Sequence, residues 1–95
     1  MKKDKEDIKR MFEFFEAHWK SKPHKCECCG KYLGSENKTI FHDHLLEKSK
    51  YPEYKYEMSN MYLVCLQCHD EKSRGFPKPN HKKAIEHAEK TLKNN

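Results

Sequence analysis

Four cysteines stand in two pairs of identical spacing, Cys26 with Cys29 and Cys65 with Cys68. Paired Cys-x-x-Cys segments are typical of tetrahedral zinc sites, in which four thiolates close the coordination sphere and make the metal structural. Gly30 follows the first pair, and its freedom to take a positive φ favours the tight turn that such a pair needs. We therefore predict one structural Zn²⁺ ion on these four cysteines.

A second set of polar residues lies between and directly after the cysteine pairs. His44 can act as a general base, because an imidazole titrates near neutral pH. The Asp43 carboxylate is a hard ligand that suits Mg²⁺ or Mn²⁺, and His69, which follows Cys68, can complete such a site. The amide of Asn60 does not titrate but can orient a loop or the base. A base, a divalent ion and groups that hold both in place are what phosphodiester hydrolysis requires.

The order Asp-His, then Asn, then His, woven through a four-cysteine zinc site, resembles the HNH endonucleases, also called ββα-metal nucleases. The resemblance covers residues 26 to about 74. It implies that His44 is the base, that Asp43 and His69 bind the catalytic Mg²⁺ or Mn²⁺, and that Asn60 is an organiser. It also implies DNA as substrate, with nicking or double-strand cleavage as the outcome. The chain is similar to small free-standing HNH proteins of phages and mobile elements, which act in packaging, restriction or homing.

The fold class implied by this resemblance is α+β, with a small zinc-stapled, treble-clef-like ββα-metal core flanked by helices. We expect a single domain over residues 1–95. Its parts are an N-terminal helix (1–22), the zinc and ββα-metal core (24–75) and a C-terminal helix (80–93).

Composition agrees with a small domain that needs a metal staple. The chain has 95 residues, of which 35% are hydrophobic and 37% charged. So short a chain buries only about 60–65% of its unfolded surface, and a structural metal offsets the thin core. The N-terminus has no apolar run that would serve as a signal peptide, and no stretch reaches transmembrane length. We expect a cytoplasmic protein of a bacterium or phage-infected host cell, with thiols bound to metal rather than in disulfides.

The charge balance favours a polyanionic partner. The net charge is +5, from 20 Lys and Arg residues against 15 Asp and Glu residues, and only Arg10 and Arg74 are arginines. Lysine binds phosphate as a point charge, whereas arginine is the commoner reader of guanine edges. We therefore expect DNA to be held mainly through its phosphate backbone. We expect no association with a membrane. A homodimer, or a phage or host protein as partner, is left open.

Two helices flank the core in the sequence pattern. Residues 4–20 carry one apolar stripe at helical spacing, which we expect to pack on the zinc domain. Residues 80–93 carry a thinner stripe among lysines. A third helix is expected from Cys68 to about Arg74. The stripes are formed by Ile8, Met11, Phe12, Phe15 and Trp19 in the first helix, and by Ala84, Ile85, Ala88 and Leu92 in the last.

The strands are expected at residues 38–43 and near 54–58. In a regular strand Asp43 and His44 point to opposite faces, whereas His42 and His44 share one. His42 is therefore an alternative for either role, and we rank it below Asp43, because a histidine at such a position is most commonly a surface or packing residue.

Several residues have simpler interpretations. Cys28 is expected to be a partly exposed bystander, and the histidines outside the motif, His18, His81 and His87, are expected to have no catalytic role. The lysines and tyrosines of residues 48–56 either grip phosphate or cover the core, and the sequence favours neither.

Two functions of different classes remain in competition. The first is the metal-dependent endonuclease implied by the resemblance. The second is a non-catalytic zinc module that binds nucleic acid or protein, which has no need of the Asp-His, Asn and His set. A thiol oxidoreductase is disfavoured, because the chain lacks a βαβ pattern.

Overall fold

The computed structural model describes residues 5–93, and this part of the chain contains three α-helices and one antiparallel sheet of two strands. Each strand has three residues, with His42 opposite Leu63 and His44 opposite Met61. The order strand, strand, helix between two flanking helices confirms the predicted α+β class. The elements are α1 (Lys5–Lys20), β1 (His42–His44), β2 (Met61–Leu63), α2 (Leu66–Ser73) and α3 (Pro79–Lys93).

Helix α1 packs on the core through its C-terminal half. Trp19 is buried and stacks on His24 and Phe41, with ring centroids 3.7 and 5.9 Å away. Phe15 is also buried, whereas Phe12 of the same apolar stripe is 55% exposed. The stripe therefore docks over its last two turns only. Residues 1–4, which the predicted N-terminal helix included, lie outside the described residues.

The predicted strand positions were wrong. Within the predicted strand 38–43, residues Thr39–Phe41 form a 3-10 turn, and β1 begins only at His42. The region near 54–58 holds two further 3-10 turns, Pro52–Tyr54 and Met58–Asn60, and β2 follows them. Helix α2 begins at Leu66, so Cys68 and His69 lie inside its first turns rather than at its start.

A second apolar cluster attaches α3 to the core. Leu45, Leu46 and Ala88 are buried together, with tyrosines and aliphatic side chains around them. The Tyr54 hydroxyl donates to the Leu92 carbonyl oxygen at 3.0 Å. The tyrosines of residues 51–54 therefore cover the core, which was one of the two alternatives for this segment. No helix in the described part of the chain has the length and apolar character needed to cross a bilayer.

Asn60 joins distant parts of the connection between β1 and β2. It is fully buried, and its Oδ1 accepts the Leu46 N–H at 2.8 Å. Its Nδ2 donates to the carbonyl oxygens of Leu46, at 3.1 Å, and Tyr54, at 3.3 Å. The amide thus pairs with backbone groups of Leu46 and Tyr54 that have no partner in the strand ladder. It also fixes the end of β1 against the segment before β2.

We expect Asn60→Ala to destabilise the zinc-loaded protein by about 2–3 kcal/mol, because it leaves buried backbone groups of Leu46 and Tyr54 without partners. The measurement is urea unfolding. Asn80→Ala is the matched control, because exposed Asn80 makes a single bond, from Nδ2 to the Cys28 carbonyl oxygen at 3.0 Å. Equal losses of stability in the two variants would contradict the joining role of Asn60.

Candidate active site and zinc centre

The four predicted zinc ligands come together in space. The sulfur atoms of Cys26, Cys29, Cys65 and Cys68 all lie within 4.8 Å of one another. Zn–S bonds of about 2.3 Å in a tetrahedron place sulfurs about 3.8 Å apart. The Cys29 and Cys65 sulfurs are 3.8 Å apart, and no disulfide joins the described cysteines. The geometry therefore fits a four-thiolate zinc site.

The electrostatics of these thiols favour a bound cation. Burial raises the pKa of Cys68, and the neighbouring sulfurs raise it further. Burial also acts to raise the pKa of Cys26, but backbone N–H groups outweigh it and lower that pKa to about 7. One such group is the Cys29 N–H, which donates to the Cys26 sulfur at 3.4 Å. Four sulfurs this close do not ionise together without a positive charge among them, and Zn²⁺ supplies that charge.

The first cysteine segment is fixed to the edge of β2. Glu27 and Leu63 exchange two hydrogen bonds of 2.7 Å, one from the Glu27 N–H and one to the Glu27 carboxylate. Gly30 has a φ of +83° and closes the turn by donating to the Cys26 carbonyl oxygen. The predicted turn at Gly30 is therefore present.

Cys28 differs from its predicted state. It is only 4% exposed and belongs to the apolar cluster around Trp19, whereas the ligand Cys29 is exposed. Cys28 is thus a core residue rather than a partly exposed bystander. In a short turn, the direction of each side chain decides which of two adjacent cysteines is buried. The spacing of the cysteines in the sequence does not reveal that direction.

An open cleft of about 630 Å³ lies between α1, β1 and α2. All three residues of β1 line it, together with His69 and Lys72 of α2 and Phe15 of α1. Three of the four predicted catalytic residues, Asp43, His44 and His69, thus reach one cleft. Asn60 does not line it and contacts the loops behind it.

His44 has a defined proton arrangement. Its Nε2 lies 2.9 Å from the Lys55 carbonyl oxygen, which can only accept, so Nε2 carries the proton. Burial is the main cause that lowers the pKa of His44, with Lys48 adding to it, although the Lys55 carbonyl acts in the opposite direction. At neutral pH the ring is therefore neutral, and its Nδ1 has a free lone pair. Since Asn60 binds the Tyr54 carbonyl next to Lys55, the Asn60 amide helps to orient this ring.

His42 is occupied at both ring nitrogens. Its Nε2 donates to the Asn37 Oδ1 at 2.5 Å, and its Nδ1 accepts from the His18 Nδ1 at 2.8 Å. Phe15 stacks on the His42 ring with centroids 4.5 Å apart. Burial, and then the nearby His44, lowers the pKa of His42 to about 4. His42 therefore serves packing on α1 and has no free lone pair for a base.

The Asp43 carboxylate points away from α1 and toward the other two helices. Lys72 Nζ lies 3.0 and 3.1 Å from its two oxygens, and His81 Nε2 lies 2.8 Å from Oδ2. Burial acts to raise the pKa of Asp43, but the His81 hydrogen bond and the Lys72 charge outweigh it and lower that pKa. The carboxylate is thus ionised, as a ligand for a divalent cation must be.

Sequence reasoning missed two buried histidines that contact the motif. His18 of α1 contacts His42, and His81 of α3 contacts Asp43. Both histidines were expected to have no catalytic role, and their contacts with β1 were not predicted. Both side chains have no exposed surface. A histidine at a buried position of a helical stripe was the available indication, since an isolated imidazole is costly to bury without a partner.

The HNH endonuclease family model matches residues 26–75, which is more than half of the chain. The chain therefore belongs to the HNH endonuclease family. No curated protein and no solved structure matches it. Family membership makes nuclease chemistry its general class of function, and the four-cysteine cluster has the ligand set of a zinc site.

We expect the Cys65→Ser/Cys68→Ser double variant to lose the bound zinc and to unfold, because two of the four thiolates are absent. Cys28→Ser is the matched control, because Cys28 is buried but is not one of the four predicted zinc ligands. This variant should retain about one zinc per chain. The measurement is metal analysis of protein purified without added zinc. Full zinc retention in the double variant, or zinc loss in Cys28→Ser alone, would contradict the ligand assignment.

Proposed function

We propose that this HNH family member is a metal-dependent endonuclease that hydrolyses phosphodiester bonds in DNA, by nicking or by cutting both strands. The proposal rests on the cleft that His44, Asp43 and His69 all line. The family match gives nuclease chemistry in general, and the ionisation states of His44 and Asp43 support the specific roles below.

His44 is the general base in this proposal. The Lys55 carbonyl holds the ring with Nε2 protonated, so Nδ1 can take a proton from a water molecule in the cleft. The lowered pKa of His44 keeps that lone pair available at neutral pH. Both nitrogens of His42 have partners, which supports His44 over His42 for this role.

Asp43 and His69 would hold a divalent cation, Mg²⁺ or Mn²⁺. The donor set fits such an ion, because an ionised carboxylate and a half-buried imidazole border the same cleft. When bound, the ion would neutralise charge on the scissile phosphate and the leaving oxygen. Asn60 acts at a distance by fixing the loops that orient His44, so we describe it as a positioning residue.

The zinc would be structural and would not take part in the reaction. Four thiolates leave no open coordination position. Cys65 directly precedes α2 and Cys68 lies in its first turn. The zinc would therefore fix the start of the helix that carries His69. Because zinc-bound thiolates and the remaining thiol of Cys28 survive best in reducing surroundings, we also propose a cytoplasmic location.

A non-catalytic zinc module is the second candidate function. The observation in its favour is that Asp43 is only 4% exposed and that both of its oxygens already have partners. A nuclease would have to free one of these oxygens before it could bind a divalent ion. Cleavage assays on variants of the cleft separate the two functions.

We expect His44→Ala to slow the nicking of supercoiled plasmid by about 10²–10⁴-fold, because it removes the general base. Zinc content and DNA binding should remain at the wild-type level. His87→Ala is the matched control, since His87 is an exposed histidine on α3. Added Mn²⁺ should partly rescue Asp43→Ala or His69→Ala but not His44→Ala.

Wild-type cleavage by His44→Ala would remove the base assignment. If a folded His42→Ala variant were inactive at the same time, the base would instead be His42. If neither histidine affected a robust metal-dependent activity, the proposed mechanism would be wrong.

We expect DNA binding to weaken steeply with salt, because the contacts are mainly lysine to phosphate. Lys48 lines the cleft and Lys50 lies in the same exposed loop. Replacing both with Gln should reduce the magnitude of the slope of log K against log salt by about 2, on the basis of about 0.9 per lost contact. The measurement is a salt titration by fluorescence anisotropy.

Lys82→Gln/Lys83→Gln on the exposed face of α3 is the control for total charge, since it removes the same two charges. An equal change in slope for both double variants would show that only net charge matters. A complex that is insensitive to salt and strongly sequence-specific would contradict backbone binding altogether.

A further inference from the structure

The Asp43 carboxylate is held from two sides by cationic or proton-donating groups. The Lys72 ammonium is within 3.1 Å of both carboxylate oxygens, and it also donates to the His44 carbonyl oxygen at 2.6 Å. His81 donates from Nε2 to Oδ2 at 2.8 Å. The Lys72 ammonium thus lies among three oxygen atoms, and a hard metal cation binds in the same kind of environment.

The two partners of Asp43 differ in their access to the cleft. The Lys72 side chain is 14% exposed and lines the cleft. His81 has no exposed surface and lies outside the cleft lining, with the Tyr62 ring 4.9 Å from its own. Lys72 therefore closes Asp43 on the solvent side and has space to move, whereas His81 supports the carboxylate from inside.

His81 has a feature that packing alone does not explain. Its Nδ1 is buried and has no hydrogen-bond partner within the described residues. Burying an unpaired polar atom costs free energy, and an apolar residue at this position would avoid that cost. The contribution of the histidine thus lies in the hydrogen bond that its Nε2 donates to Asp43.

We propose that Lys72 and His81 have opposite effects on the binding of a divalent cation by Asp43. Lys72 is a resident cation that must leave the carboxylate before it can accept the ion, and His81 is a positioning residue that keeps the carboxylate in place during the exchange. The inference rests on the role of Asp43 as an ion ligand in the proposed function. It gives α3, which follows the residues matched by the family model, a part in the site.

Competition between Lys72 and a metal ion also explains how the Asp43 carboxylate can be buried when no metal ion is bound. Without a counter-charge, an ionised Asp43 buried to this degree would strongly destabilise the fold. Lys72 supplies that charge while no metal ion is bound. The free energy of metal binding must therefore exceed that of the ion pair, which makes the affinity of the site lower than its ligands alone would give.

The experiment measures Mn²⁺ affinity of the zinc-loaded full chain by isothermal titration calorimetry. Lys72→Met should bind Mn²⁺ about tenfold more tightly, as expected if the paired state of Lys72 is favoured about ten to one. His81→Leu should bind about 10–100-fold more weakly, the usual effect of losing a partner of a metal-ligating residue. Asp43→Ala should weaken binding more than any other variant and so locate the ion, although high Mn²⁺ can still occupy the site in part.

Two further variants separate positioning from general stability. His81→Gln retains a donor and should bind Mn²⁺ within about threefold of the wild type, since the hydrogen bond to Asp43 survives. His87→Leu, on the exposed face of α3, should leave the affinity unchanged. Zinc content and thermal unfolding verify that each variant is folded. If His81→Leu does not fold, Lys72→Met and His81→Gln still test the proposal.

Opposite shifts in Lys72→Met and His81→Leu, or tighter binding in Lys72→Met with near-wild-type affinity in His81→Gln, would support the inference. Shifts in the same direction, unchanged affinity in folded His81→Leu, or no Mn²⁺ binding by the wild type would overturn it. The outcome is independent of cleavage. If the opposite shifts appear while plasmid stays intact with every metal, the proposed nuclease function fails and the exchange at Asp43 stands.

Discussion

The convergence of four sulfurs within 4.8 Å is the constraint on which the rest of this structure depends. It joins the segment at Cys26–Cys29 to the stretch that runs from the end of β2 into α2. In a chain of 95 residues with 35% hydrophobic content, such a link replaces part of the core. It also decides where His69 lies, since that residue follows a ligand directly.

The second constraint is the alternation of side chains along a strand of only three residues. His42 and His44 face α1, where Phe15 contacts both rings, whereas Asp43 faces α2 and α3. The proposed base His44 and the proposed metal ligand Asp43, which are adjacent in sequence, therefore contact different helices. Helices α1 and α3 do more than shield the core from solvent, because each supplies a buried histidine to one face of β1.

The sequence was sufficient for features that depend on local spacing or residue type. The cysteine pairs and the helical stripes follow from spacing and residue type, whereas the roles expected of Asp43, His44 and His69 were implied by the resemblance to the HNH family. Strand positions failed. Thr39–Phe41 takes a 3-10 turn despite its β-forming residues, and the region near 54–58 consists of turns. The roles of His18 and His81 depend on contacts across 24 and 38 residues, which no local pattern encodes.

The central claim is that the cleft, and not the zinc site, carries a metal-dependent cleavage activity. The most direct measurement follows supercoiled plasmid after incubation with wild-type protein that retains its zinc, in EDTA and with added Mg²⁺ or Mn²⁺. The account predicts nicked or linear plasmid only when Mg²⁺ or Mn²⁺ is added, with zinc content equal in all samples. Intact plasmid with every metal, or equal cleavage in EDTA, would contradict it.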